Sequence, residues 1–100
     1  MILEGELNLK HNDIDYIMFH KGRSTNISEI LNVQLMDDVY VCVEDAYTNE
    51  VLFKERGQLI KDKIDNGFYL YNVDGQDLDS ILWGNVGQRL CIEIENISKR

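Results

Sequence analysis

One hundred residues, 44% apolar and 28% charged, suit a single soluble domain (1–100) and leave no room for a second independent core. The formal charge of −8, from 18 acids against 10 Lys and Arg, repels nucleic acid on average. The basic side chains Lys10, Lys21, Arg23, Lys54, Arg56, Lys61 and Lys63 are scattered among acids and form no phosphate-binding patch, and no apolar run of about 18 residues exists for a membrane span.

The chain opens on "MILEGELNLK", with acids at positions 4 and 6 and no long apolar stretch, so no secretory signal is expected. Leu3, Gly5, Leu7 and Leu9 alternate with polar residues and predict a strand. "KHND" reads as a turn. "YIMF" (Tyr16 to Phe19) is apolar on both faces, which predicts a strand covered on both sides by a helix or by another subunit. After a turn around Gly22, Asn26 is placed to cap a short helix. Glu29 stands in the capping-box position, and Ile27, Ile30 and Leu31 form the inward stripe. Ser24, Thr25 and Ser28 suit a turn and a helix start and need no catalytic explanation. "VYVCVE" (Val39 to Glu44) then alternates, with Val39, Val41 and Val43 inward and Tyr40 and Cys42 pointing away.

Residues 44–50 join this half to a second one of similar build. Val51, Phe53, Gly57 and Leu59 outline another strand, and Glu55 interrupts its inward face. "KIDNG" holds Asn66-Gly67, a type I′ hairpin signal. "FYLY" (Phe68 to Tyr71) matches "YIMF", a short helix follows Gly75, and "LCIEIE" (Leu90 to Glu95) matches "VYVCVE". Shifted by 52 positions, Gly5, Leu7, Asp13, Tyr16, Met18 and Phe19 fall on Gly57, Leu59, Asp65, Phe68, Leu70 and Tyr71. Shifted by 51, Asn26, Ile27, Ile30 and Leu31 fall on Asp77, Leu78, Ile81 and Leu82. The fold expected is therefore mainly β with two short helices (α+β). Two pseudo-duplicated ββαβ units, about 1–45 and 51–97, would form a small barrel or strongly curled sheet, with Gly5 and Gly57 as bends or bulges. In layout alone this resembles double-psi-type barrels, and layout transmits no activity.

"VDGQDLDSIL" (Val73 to Leu82) puts three aspartates within six residues. A helix-loop-helix calcium loop fails there, because counting back from Gly75 starts on Leu70, and counting back from Gly67 puts Ile64 and Val73 at ligand positions. The cluster reads as a helix start: Asp74-Gly75 turns the chain, Asp77 caps, and Asp79 lies near the positive end of the helix dipole.

Chemistry-bearing patterns are few. His11 falls in a turn and His20 ends a strand. Cys42 and Cys91 lie far apart with no CxxC, which suits reduced thiols and a cytoplasmic setting. There is no GxSxG elbow, no Gly-rich phosphate loop and no HExxH. No catalytic residue, metal or cofactor is expected. Trp83 stands where the first half has Asn32, as core filler or as an exposed contact anchor.

The function expected is that of a small acidic protein-interaction module from a bacterium or phage, a regulator or inhibitor that binds a basic protein partner and self-associates as a homodimer. Tyr40, Tyr69, Tyr71 and Trp83 would supply contact area, and Asp37, Asp38, Asp74, Asp77 and Asp79 an acidic rim. The alternative is a small-molecule-binding or catalytic barrel with a pocket between the two repeats.

Overall fold

Alternating apolar residues form strands here because one face of each strand finds a common core. The computed structural model describes residues 1–10, 15–71 and 77–98. In chain order its elements are β1 (Ile2–Leu9), β2 (Tyr16–His20), β3 (Arg23–Asn26), α1 (Ile27–Asn32), β4 (Asp38–Asp45), β5 (Val51–Lys61), β6 (Phe68–Leu70), α2 (Leu78–Gly84) and β7 (Arg89–Asn96). The protein is mainly β with two short helices, an α+β fold. The expected turn at 10–13, the match of Asp13 to Asp65, His11, Asp74 and the Gly75 turn fall wholly or partly outside the described residues.

All seven strands join one antiparallel sheet in the order β3-β2-β1-β7-β4-β5-β6. The expected barrel does not form: β3 and β6 stand at opposite ends of the sheet, and no described pairing closes it. Both edge strands are short, four and three residues. The helices lie along one face of the sheet. Ile27, Leu31, Leu78, Ile81 and Leu82 share a single apolar cluster with Leu7, Leu59, Leu90, Ile92, Ile94 and the three valines of β4.

The strand β3 was not anticipated. Lys21 and Gly22, both at positive φ (50° and 79°), make a two-residue turn that folds Arg23–Asn26 back onto β2. The Asn66-Gly67 expectation is corrected in the other direction. Only Asn66 has positive φ (60°), and the link is a longer loop closed by the Asn66 N–H on the Asp62 carbonyl (2.9 Å). The glycine bulges are absent too: Gly5 opposite Leu90 and Gly57 opposite Val39 sit in unbroken ladders, and the register shift lies between Val43 and Glu44. Gly5 is required for space, since a Cβ there would meet the Phe19 carbonyl and lie 2.8 Å from Met18 Cγ.

The backbone bonding of the two halves runs in parallel. Leu7 faces Met18 as Leu59 faces Leu70. Leu7 N–H donates to the Gln88 carbonyl (3.0 Å) as Leu59 N–H donates to that of Asp37 (2.9 Å). Gly87 N–H donates to the Leu7 carbonyl (2.6 Å) as Met36 N–H donates to that of Leu59 (2.7 Å). The residue after each helix turn takes positive φ, 91° at Gly87 and 74° at Met36.

Candidate functional site

The helix starts come first, because the acidic run lies there. The side-chain oxygen of Asp77 accepts the Ser80 N–H at 2.7 Å, and that of Asn26 accepts the Glu29 N–H at 2.8 Å. Each short helix is thus capped as its sequence indicates, with one otherwise unpaired donor satisfied.

Asp79 does more than its first-turn position suggests. It accepts the Tyr16 hydroxyl at 3.0 Å, which joins β2 of the first half to α2 of the second, and also receives the Phe68 backbone N–H. Burial pushes its carboxyl above the ordinary range, while the bonds from Tyr16 and Phe68 pull the other way. Burial, then the charge of Asp79, hold the Tyr16 phenol far above its usual value. Tyr16 was missed as a polar residue because nothing in "YIMF" distinguishes a core tyrosine whose hydroxyl reaches a carboxylate. Gly67 was the available signal: a Cβ on it would sit 2.9 Å from Asp79 Cγ.

A small cleft of about 80 Å³ lies beside this pair, lined by Asp62, Asp65, Asp77 and Asp79 together with Gly67, Phe68, Tyr69 and Ser80. Its carboxylates serve the local backbone. Asp62 accepts from Ile64 N–H (2.7 Å), Asp65 from Gly67 N–H (2.8 Å), and Asp77 from Ser80. Among the described residues no three His, Cys, Asp or Glu side chains converge in a metal-holding group.

The second feature is the sheet face that the helices leave open. Strand pairing sets Tyr40 opposite Glu95, Cys42 opposite Glu93 and Glu44 opposite Cys91, so all six side chains share that face at its centre. Glu4 adjoins them through its pairing with Cys91. Burial and then Glu44 and Glu4 raise the Cys91 thiol above its ordinary pKa, so it is no activated nucleophile. The Tyr40 phenol is raised as well, by desolvation first, then by its hydrogen bond with Cys42, with Glu93 and Glu95 adding to the effect. Arg89 alone among the described cations makes an ion pair, with Glu4 at 3.4 Å, and it also touches the His20 ring.

The remaining expected contact residues are dispersed. Tyr69 lies half-buried on the three-residue edge strand β6, and Tyr71 follows it, 57% exposed. Trp83 is 57% exposed on α2, so it is not core filler, and it stands in the helix layer away from Tyr40. Asp37 accepts the Asn96 amide at 2.8 Å, while Asp38 opens β4 beside Ser98. Glu55 lies opposite Val41, on the same face of β5 as Phe53, and is exposed there.

A third feature is an open cavity of about 530 Å³ bounded by Met1 and Gln34 from the first half and by residues 94–97 from the second. No described helix is long and apolar enough to cross a membrane. No family model matches the chain, and neither the curated proteins nor the solved structures contain a match to it.

Proposed function

We propose that this is a non-enzymatic, cytoplasmic protein-interaction module of bacterial or phage origin that regulates or inhibits a basic protein partner by docking it on the open face of the sheet. The observation carrying the reading is the one-sided layering. Both helices cover the same face, and the other presents Tyr40 and Cys91 among Glu4, Glu44, Glu93 and Glu95, with Cys42 buried beneath them. An aromatic and thiol floor beneath four carboxylates, with one ion pair among the described residues, suits a basic surface that carries apolar side chains. Asp77 and Asp79 then contribute charge at long range from α2, and Trp83 and Tyr71 are anchors for self-association.

The parallel hydrogen bonds of the two halves support reading each as a copy of one ββαβ unit, with β3 an addition to the first.

The test is capture from bacterial lysate with Glu93→Lys/Glu95→Lys on the open face, against Glu50→Lys in the 45–50 turn as control. Wild type and the control retain the same basic protein, the double variant releases it, and salt of about 0.5 M weakens the retention. Equal retention by all three proteins sinks the docking face.

The open cavity favours a second reading, that of a small-molecule-binding protein, since its walls come from both halves. Its size falls within the usual range for ligand sites.

A further inference from the structure

Strand β5 runs for 11 residues, and its two sides are covered unequally. On one side β4 pairs with it from Val51 to Gln58. On the other, β6 pairs only with Leu59, Ile60 and Lys61, and Tyr71 N–H donates to the Gln58 carbonyl at 2.8 Å. No described strand pairs with that outer side before Gln58.

Backbone groups along a strand point alternately to its two sides. The Gln58 carbonyl points outward, so the N–H and C=O groups of Arg56 and Lys54 point outward too. Strand β4 gives the same answer from the other side. The Asp38 carbonyl accepts the Ile97 N–H, and Ala46 N–H donates to the Arg89 carbonyl. Even-numbered residues of β4 therefore bond to β7, which leaves Val39 and Val41 to bond to Gly57 and Glu55. Two donors and two acceptors, at Lys54 and Arg56, are presented at the rim of the sheet.

The side chains at these two positions are cations. They share the open face of the sheet, Lys54 opposite Cys42 and Arg56 opposite Tyr40, and both are exposed. Neither makes an ion pair with a described residue, the one described pair being Arg89 with Glu4. Charge at an edge also guards it against its own kind. Antiparallel pairing with β5 of a second copy, centred anywhere from Lys54 to Arg56, would set cation against cation.

We propose that the outer edge of β5 binds an extended segment of a partner protein that carries acidic side chains at two alternate positions and runs antiparallel to β5. In such a ladder, residues that exchange both backbone bonds stand directly opposite each other. The two segment residues bonded to Lys54 and Arg56 then carry their side chains over the open face, one acid against each cation. Alternate residues lie about 7 Å apart on both strands, so the backbone sets the spacing of the charges. The net charge of −8 repels a long acidic tract and confines the occupant to a short one. Main-chain pairing gives the affinity, and the two cations give the choice of segment. This goes beyond the docking reading above, which concerns the floor of the open face.

The experiment measures amide hydrogen exchange and NMR shifts with three blocked peptides. One is Thr-Thr-Glu-Val-Glu-Thr-Thr, the second has Lys for both Glu, and the third is the first with both Glu nitrogens methylated. The Glu peptide is expected to slow exchange at Lys54 and Arg56 and to bind at least roughly tenfold more tightly than the Lys peptide. The methylated peptide, which has lost the donors that meet the two carbonyls, is expected not to bind. Lys54→Glu/Arg56→Glu should reverse the preference, and Lys54→Gln/Arg56→Gln, which keeps the edge neutral if the reversal fails to fold, should abolish it. Unchanged binding of the Glu peptide after methylation or charge reversal would overturn the proposal. So would unaltered exchange at both amides with every peptide. Exchange at Lys54 and Arg56 that slows with protein concentration alone would make a second copy the occupant and overturn it as well.

Discussion

At the start of α1 the Tyr16 N–H is received by the Ser28 hydroxyl at 2.9 Å; at the start of α2 the Phe68 N–H is received by the carboxylate of Asp79. The two positions correspond, and their chemistry does not. A hydroxyl is neutral and tolerates nearly complete burial, and Ser28 is 3% exposed. A carboxylate loses hydration when it is covered, so Asp79 stays half-buried, recruits a second donor in Tyr16 and holds its proton more tightly than usual. It also takes the space a side chain at position 67 would need. A carboxylate at the start of α2, where α1 has a hydroxyl, thus goes with a glycine at position 67 and a tyrosine bond between β2 and α2.

The comparison can be broken most forcefully in the core beneath the two helices. Leu31→Ala and Leu82→Ala, each removing a side chain 1% exposed, should each cost about 2–5 kcal/mol in urea unfolding. Markedly unequal losses would mean that one half carries the fold.

Gly67→Ala comes next. Crowding by a Cβ 2.9 Å from Asp79 should cost about 1–3 kcal/mol, and most of it should return in Gly67→Ala/Asp79→Ser, which installs the hydroxyl of the first half. Additive losses in that double-mutant cycle would show that the glycine answers to something else.

The caps should be equivalent. Asp77→Ala and Asn26→Ala each remove one bond to a helix N–H and should each cost about 1 kcal/mol by thermal or urea unfolding.

The smallest effect is in pH. The folded carboxyl of Asp79 is raised from its ordinary value of 3.8, so the folded state binds this proton more tightly than the unfolded chain does. Its stabilising contribution is complete below the unfolded value and is lost as pH rises through the folded one. Asp79→Asn keeps an acceptor for Phe68 and Tyr16 without the charge. It should therefore gain on wild type as pH rises above about 4, modestly because the group is partly solvated. A constant difference between the two proteins across this range would show that Asp79 does not titrate as described.

Some of this was legible from residues alone and some was not, for identifiable reasons. Helix starts depend on a cap, its donor three residues on and a local stripe, so Asn26 and Asp77 could be placed directly. The inward valines of β4 and isoleucines of β7 followed from period-two alternation. Tyr16 at Asp79 could not be seen, because the partners lie 63 residues apart and a tyrosine among apolar neighbours looks like core. Trp83 could be read as filler or anchor until its exposure was known. The barrel expectation failed because curling signals from glycine are ambiguous. Gly5 is a point of close backbone approach in an unbroken ladder, a need that has the same sequence appearance as a bulge.

The sequence by itself determined the elements that depend on neighbours a few residues away: both helices with their caps, the alternating strands and the acidic excess. Only the tertiary structure decided that β4 and β7, far apart in the chain, pair at the centre of an open sheet. It alone decided as well that both helices lie on one side. The reason is physical: local propensity is settled within a turn or two, whereas which faces are covered depends on contacts that form only once distant segments have met.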